Sequence, residues 1–281
     1  MKVIQASTHT RLAWAAGDAL IFADEQFLYR WTGGVGIKPY VLGAGHKEAR
    51  ISEISDAGNP TARFIIAQLR KVIIHQFHNT SSQARMRQKW RSNESRWLKE
   101  DAGNLAPFLL RLSEEHLQYY SRIRETIKLA LPFFADFALT PDSYGNVLLQ
   151  WREKGTDCLF DASQASDGML RFIALVALLQ QPEKDLPNVL ILDEPELGLH
   201  PSAIQIVSDL VKSASKTIQV IVATQSVSLV DRFDAEDIVV VNREGRQTQL
   251  KRLSEPDLRD WLQEYTLSEL WEKNILGGRP A

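Results

Sequence analysis

Asp193 and Glu194 stand side by side at the end of four consecutive apolar residues, Val189, Leu190, Ile191 and Leu192. A short unbroken apolar run of this kind fits a strand buried on both faces of a parallel sheet. Open α/β sheets bind their ligands at the carboxyl ends of such strands. One acid at that place can hold Mg²⁺ beside a nucleotide phosphate, and a second can orient or deprotonate an attacking water. The plainer alternative is an acidic turn that merely ends a core strand.

Two flanking stretches bear on that choice. Upstream, Asp161–Leu179 (DASQASDGMLRFIALVALL) is a polar loop with Ser163, Ser166, Asp167 and Gly168 that leads into a strongly apolar helix. Serine and aspartate favour the N-cap region, and a helix N-terminus offers free N–H groups and a positive dipole end to an anion. A capped core helix would look the same locally. Downstream, Pro201 opens a helix to about Ser215, and the strand Ile218–Ala223 ends in Thr224-Gln225-Ser226. Strand, helix and strand in succession make a βαβ unit and hence a parallel sheet. Gln225 then lies at the carboxyl end of a neighbouring strand, within reach of Asp193 and Glu194.

The elements that must position these residues occupy a chain of 281 residues, enough for one large domain or two small ones. A hydrophobic content of 44% supports a sizeable core, and a formal net charge of −2 excludes a globally basic nucleic-acid binder. The single cysteine, Cys158, excludes an internal disulfide framework. No apolar run reaches the roughly 18 residues of a membrane span, and the N-terminus lacks the apolar segment of a secretory signal. The expectation is a cytoplasmic chain.

Residues 18–45 read as an antiparallel meander, with apolar runs at Ala19–Ala23 and Phe27–Trp31 split by Asp24-Glu25. Two glycine-rich stretches there, Gly33–Lys38 (GGVGIK) and Gly43–Lys47 (GAGHK), only look like phosphate loops. Neither satisfies G-x-x-x-x-G-K-[ST], because neither lysine follows a glycine. Residues 61–70 read as a helix and Lys71–Phe77 as a strand flanked by His75 and His78. No further ligand stands at metal spacing, so these read as satisfied structural histidines. Leu105–Leu131 carries apolar residues at helical spacing and reads as a helical hairpin standing off the sheet, followed by paired strands at Phe134–Leu139 and Val147–Trp151. A strand over Asp237–Asn242 and two short helices over Pro256–Glu272, anchored by Trp261, Leu262, Tyr265, Leu270 and Trp271, complete the chain. The basic stretch Arg85–Lys99 (RMRQKWRSNESRWLK) interleaves cations with Trp90 and Trp97, as a phosphate-tracking surface does. A solvated loop with inward-packed tryptophans is the competing reading.

Taken in order, Ser166-Asp167-Gly168, the DEPELGLHP run and Thr224-Gln225-Ser226 resemble the ABC-type ATPases of the RecF/SMC-like and OLD-like class, often described simply as AAA-family ATPases. The likeness runs from about residue 60 to the C-terminus and is most specific over 161–241. It implies an α/β P-loop NTPase core with a mostly parallel sheet, an antiparallel β portion and a helical lobe. It implies ATP and Mg²⁺ as cofactors, with nucleotide sandwiched in a dimer. Asp193 would be the Walker B acid acting on Mg²⁺, and Glu194 the general base. Ser166, Asp167 and Gly168 would be the signature that contacts the γ-phosphate held by the partner subunit. Glu196–Pro201, with His200, would be the D-loop region at the dimer interface. Gln225 occupies the switch position where many relatives carry histidine; it can hydrogen-bond a phosphate or water but cannot become cationic.

Such ATPases begin with one or two strands and then G-x-x-x-x-G-K-[ST], which this sequence does not contain. The expectation is therefore one ATPase head over 1–281, incomplete at its N-terminus and without the P-loop or first strands. Its parts would be an antiparallel β portion (18–60), a helical lobe (101–131), a signature and Walker B core (132–253) and C-terminal helices (254–281). Strands beside the missing one would expose unpaired edges. The expected partner is a second copy or a Walker-A-bearing chain, head to tail, with DNA through Arg85, Arg87, Lys89 and Arg91 as a further possibility and no membrane. The alternative is a non-catalytic interaction or DNA-binding subunit that keeps the fold.

Overall fold

A computed structural model of the chain describes residues 3–15, 19–31, 38–245 and 247–278. They divide into two compact units, Met1–Val72 and Ile73–Ala281. In the first unit β1 (Val3–Ala15), β2 (Ala19–Trp31) and β3 (Lys38–Gly43) form an antiparallel sheet in that order, followed by α1 (Ile51–Asp56) and α2 (Pro60–Leu69). The two apolar runs expected around Asp24-Glu25 are one continuous strand. Glu25 is buried inside it because its carboxylate accepts hydrogen bonds from Arg50 N at 2.9 Å and Ile51 N at 3.3 Å and pairs with His46 Nε2 at 2.6 Å. Of the glycine-rich stretch Gly33–Lys38, residues 33–37 lie outside the described residues. Phe27, Leu42, Ile51, Ala62 and Ile65 make this unit's small core. Asn59 starts α2 by accepting from Thr61 N and Ala62 N, with Pro60 in the first turn.

The second unit begins within β4 (Val72–His75) and runs through β5 (Trp90–Arg91), α3 (Leu105–Glu115), α4 (Leu117–Ala130), β6 (Phe134–Phe137), β7 (Asn146–Val147), β8 (Gln150–Glu153) and β9 (Leu159–Asp161). It continues with α5 (Asp167–Leu179), β10 (Val189–Asp193), α6 (Pro201–Ala214), β11 (Gln219–Ala223), α7 (Val227–Val230), β12 (Val239–Glu244), β13 (Gln247–Arg252), α8 (Glu255–Leu258) and α9 (Leu267–Glu272). Its main sheet has the order β11-β10-β4, and β10 and β11 run parallel with Asp193 opposite Ala223. Leu190 and Leu192 are sealed into the core with the buried residues of α5 and α6. Val189 and Ile191 are only half-buried, so β10 is not covered equally on its two faces as the apolar run predicts. On the edge strands β11 and β4, Ile221 is 44% and Ile74 54% exposed.

The helix α5 is buried from Met169 to Leu179 and forms the centre of this unit. A helix apolar all round belongs in an interior, which explains a sequence with no polar face. The pair α3 and α4 does not stand off the sheet. The chain breaks at His116, and Leu105, Phe108, Leu109, Leu112, Ile123 and Ile127 all pack into the same core, with α4 against α5 and α6. β12 pairs antiparallel with β13 in a separate hairpin. Near the C-terminus Leu267 and Leu270 are buried anchors, whereas Trp261 is 45% exposed and anchors nothing by burial. Among the described residues no helix is long and apolar enough to cross a membrane.

Candidate functional site

The apolar pairing of β10 with β11 delivers Asp193 and Glu194 to the carboxyl edge of the sheet. The Glu194 amide donates to Ala223 O at 2.8 Å, and its φ of +42° lies in the left-handed region that non-glycine residues seldom occupy. Such strain at a strand end is held by the surrounding packing and recurs at functional sites.

Each acid has a polar companion from another strand end. Gln76, just beyond β4, donates from Nε2 to Asp193 Oδ2 at 2.8 Å. His78 Nε2 lies 3.1 Å from the Asp193 carbonyl oxygen and 4.0 Å from Glu194 Oε2, while His78 Nδ1 is 3.3 Å from Gln76 Nε2. Gln225, beyond β11, donates from Nε2 to Glu194 Oε1 at 3.3 Å. Thr224 gives its hydroxyl hydrogen to Glu196 Oε1, and the buried Glu196 Oε2 has no hydrogen-bond partner among the described residues. Burial is the main reason that the Glu196 carboxyl is pushed above the usual carboxylate range; the nearby charges of Glu194 and Asp193 add to it, against the Thr224 hydrogen bond.

Ser166 caps α5, its Oγ accepting from Met169 N at 3.2 Å. Asp167 pairs with Arg87 at 2.9 Å, and Arg87 also donates to the carbonyls of Thr80, Ala162 and Ala165. Gly168 lies against the turn after β10, so close that a β-carbon there would stand 2.3 Å from Gly198 O. His200 caps α6, accepting from Ser202 N at 3.3 Å, with Pro201 in the first turn. The geometry thus joins Gln225 to Glu194, next to Asp193 in the chain, and brings Gly168 against the turn that follows them. Ser166, Asp167 and His200 are engaged in caps and an ion pair.

Two residues here, Gln76 and Arg171, were not singled out from sequence, and His78 was read only as a structural histidine. Gln76 and His78 follow a strand, but their bonds to Asp193 span more than a hundred residues of chain. Arg171 was visible as a lone cation in an apolar helix, a pattern that demands buried partners. His75, read as a satisfied structural histidine, is buried with no hydrogen-bond partner for Nδ1 among the described residues, and burial lowers its pKa to about 4. Three of the four cations of the proposed DNA surface already have partners: Arg85 with Asp101 at 3.0 Å, Arg87 with Asp167, and Lys89 with Asp142 at 3.0 Å. The Arg85 guanidinium and the Lys99 ammonium both lie over the Trp90 ring, and Trp90 Nε1 donates to Arg85 O, so this tryptophan is engaged within the chain.

Among the described residues no three or more His, Cys, Asp or Glu side chains converge into a metal cage. Mg²⁺ does not require one: it is commonly held by one or two carboxylates, waters and substrate phosphates. The Asp193 carboxylate, oriented by the Gln76 amide on Oδ2, fits that role.

The model of a protein family described as "AAA domain, putative AbiEii toxin, Type IV TA system" matches residues 68–231, more than half of the chain. No curated protein matches the sequence. Among solved structures, an SMC head bound to the C-terminal winged-helix domain of ScpA superimposes with a TM-score of 0.51 at 16% identity, over 88% of this chain and 71% of that one. An SMC head with an extended coiled coil from Pyrococcus furiosus, bound to the C-terminal domain of ScpA, gives 0.47 at 14% identity over 89% and 76%. The SMC head domain from Thermotoga maritima gives 0.40 at 14% identity over 89% and 74%. The α/β architecture is that of P-loop NTPases, and the chain belongs to this AAA-domain family.

Proposed function

We propose that the chain is an ATP-hydrolysing head that works in a nucleotide-sandwiching dimer, and that it turns over ATP only together with a G-x-x-x-x-G-K-[ST] loop, which these 281 residues do not contain. The reading is supported above all by one arrangement: two acids at the carboxyl edge of a parallel pair, one held by Gln76 and the other by Gln225. When bound beside ATP, Mg²⁺ neutralises charge on the β- and γ-phosphates. Asp193 would hold it, through water or directly. Glu194 would orient a water for in-line attack and accept its proton. The new P–O bond forms as the bond between the γ-phosphorus and the bridging oxygen breaks, giving ADP and phosphate. Gln225 keeps Glu194 in place and offers an amide to water or phosphate. Ser166, Asp167 and Gly168 would face nucleotide bound by the partner, and His200 the same interface.

The lysine and amide nest of G-x-x-x-x-G-K-[ST] are not in this sequence, so the purified 281-residue chain is expected to show no ATP turnover alone. The test is a native assembly isolated through a tag on this chain, weighed, sequenced and assayed with Mg²⁺ and ATP. It should contain a G-x-x-x-x-G-K-[ST] segment and hydrolyse ATP, and Glu194→Gln should abolish turnover without dispersing the assembly. Turnover that survives Glu194→Gln, or an assembly without that segment, would overturn the reading.

A further inference from the structure

Arg171 has a side-chain environment unlike that of a surface cation. It is 9% exposed, and its guanidinium bonds to neutral oxygens from two distant segments. Nε donates to Phe77 O at 2.9 Å, and Nη2 donates to His78 O at 3.0 Å and Thr80 Oγ1 at 3.3 Å. Nη1 donates to Leu197 O at 2.9 Å. No carboxylate pairs with it among the described residues. A buried cation is tolerated only when its donors are satisfied, and the planar fork of arginine does this in several fixed directions at once.

The partners are segments that carry the site. Residues 77–80 continue directly from Gln76, which holds Asp193, and include His78. Leu197 and Gly198 belong to the turn that follows Glu194. Gly168 and Arg171 are three residues apart on α5 and so lie on one helix face, where both meet this turn. Gly198, at φ +74°, also makes room for the guanidinium: a β-carbon there would stand 2.8 Å from Arg171 Nη1.

We propose that Arg171 is a positioning residue that clamps the first turns of α5, the Gln76–Thr80 segment and the 194–198 turn into one piece. Its job is to keep Gln76 and His78 in register with Asp193 while Gly168 stays seated on Gly198. The functional consequence rests on the ATPase reading above; the clamp itself does not.

Hydrogen exchange on the full chain tests the clamp without nucleotide. In Arg171→Met, exchange at Gln76 and at Leu197 and Leu199, whose amides are bonded to Glu100 O, Glu194 O and Glu196 O, should accelerate at least tenfold at both places together. Amides in α4 and α6 should change less than threefold. Leu178→Ala, a fully buried change in the same helix, supplies the comparison for plain destabilisation. Arg171→Lys keeps the charge but presents one ammonium in place of the fork, and should quieten at most one of the two segments. The proposal is overturned if Arg171→Met loosens the two segments no more than Leu178→Ala does, if only one responds, or if Arg171→Lys behaves as wild type at both. Should Arg171→Met fail to fold, the Arg171→Lys comparison decides alone.

Discussion

Gly168 and Gly198 meet backbone to backbone: a β-carbon on Gly168 would lie 2.3 Å from the carbonyl oxygen of Gly198 and 3.3 Å from its carbonyl carbon. The obstacle is main chain, which cannot swing aside as a flexible side chain can. The contact seats the start of α5 on the turn that carries the acids. Gly168→Ala is expected to cost about 1–3 kcal/mol, the usual range for overpacking a tight contact. Urea unfolding of wild type and variant measures it; a cost below a few tenths would mean that the two segments separate easily.

Gln76 should matter to chemistry more than to stability. Its bond to Asp193 is partly solvent-exposed, so Gln76→Ala is expected to change unfolding free energy by no more than about 1 kcal/mol. Residues that orient a metal-holding carboxylate typically alter metal affinity or activity by about 10–100-fold. In the active assembly the variant should therefore need more Mg²⁺ for half-maximal turnover, read from a Mg²⁺ titration at saturating ATP.

His75 makes the protein acid-sensitive. Burial is the largest effect on it and lowers its pKa from 6.5 to about 4, against the smaller opposing influence of the Lys99 and Glu100 backbone and Asp101. Between those values the unfolded chain binds the proton and the folded chain does not, so stability rises with pH. The contribution is complete above about pH 6.5 and is lost as pH falls towards 4, on the order of 3 kcal/mol. Unfolding midpoints between pH 4 and 7 should fall less steeply for His75→Gln than for wild type.

Arg87 lies in the basic stretch but behaves as an interior residue. Its side chain is 9% exposed and serves Thr80, Ala162, Ala165 and Asp167. Arg87→Gln is expected to destabilise the fold by roughly 2 kcal/mol, since it strips a charged donor from several acceptors. Arg91→Gln, at an exposed position, should leave the unfolding midpoint within about 0.5 kcal/mol of wild type. Equal effects of the two changes would refute this division.

Local chemistry was legible wherever neighbours in sequence decide the outcome. The run Val189–Leu192 is a strand because it is apolar and short, and the acids end it because charges cannot follow it into the core. Ser166 caps α5 by reaching a backbone amide three residues ahead, and α5 is interior because it has no polar face. The helical spacing of Leu105–Leu131 was equally readable. Its docking into the core was not, because periodicity records which face is apolar and not what covers it.

The sequence by itself therefore determined the family pattern, the two acids at a strand end and the capped helix upstream, all products of short-range patterning. Only the tertiary structure decided what those acids touch. Gln76 reaches Asp193 across 117 residues, Arg171 reaches Phe77 across 94, and Arg87 is drawn from a basic stretch to Asp167 across 80. Those contacts depend on how strands and helices pack, and several end on backbone oxygens that every residue type carries. A bond to a carbonyl leaves no mark in the identity of its acceptor, so the clamp around the acids could be found only in the fold.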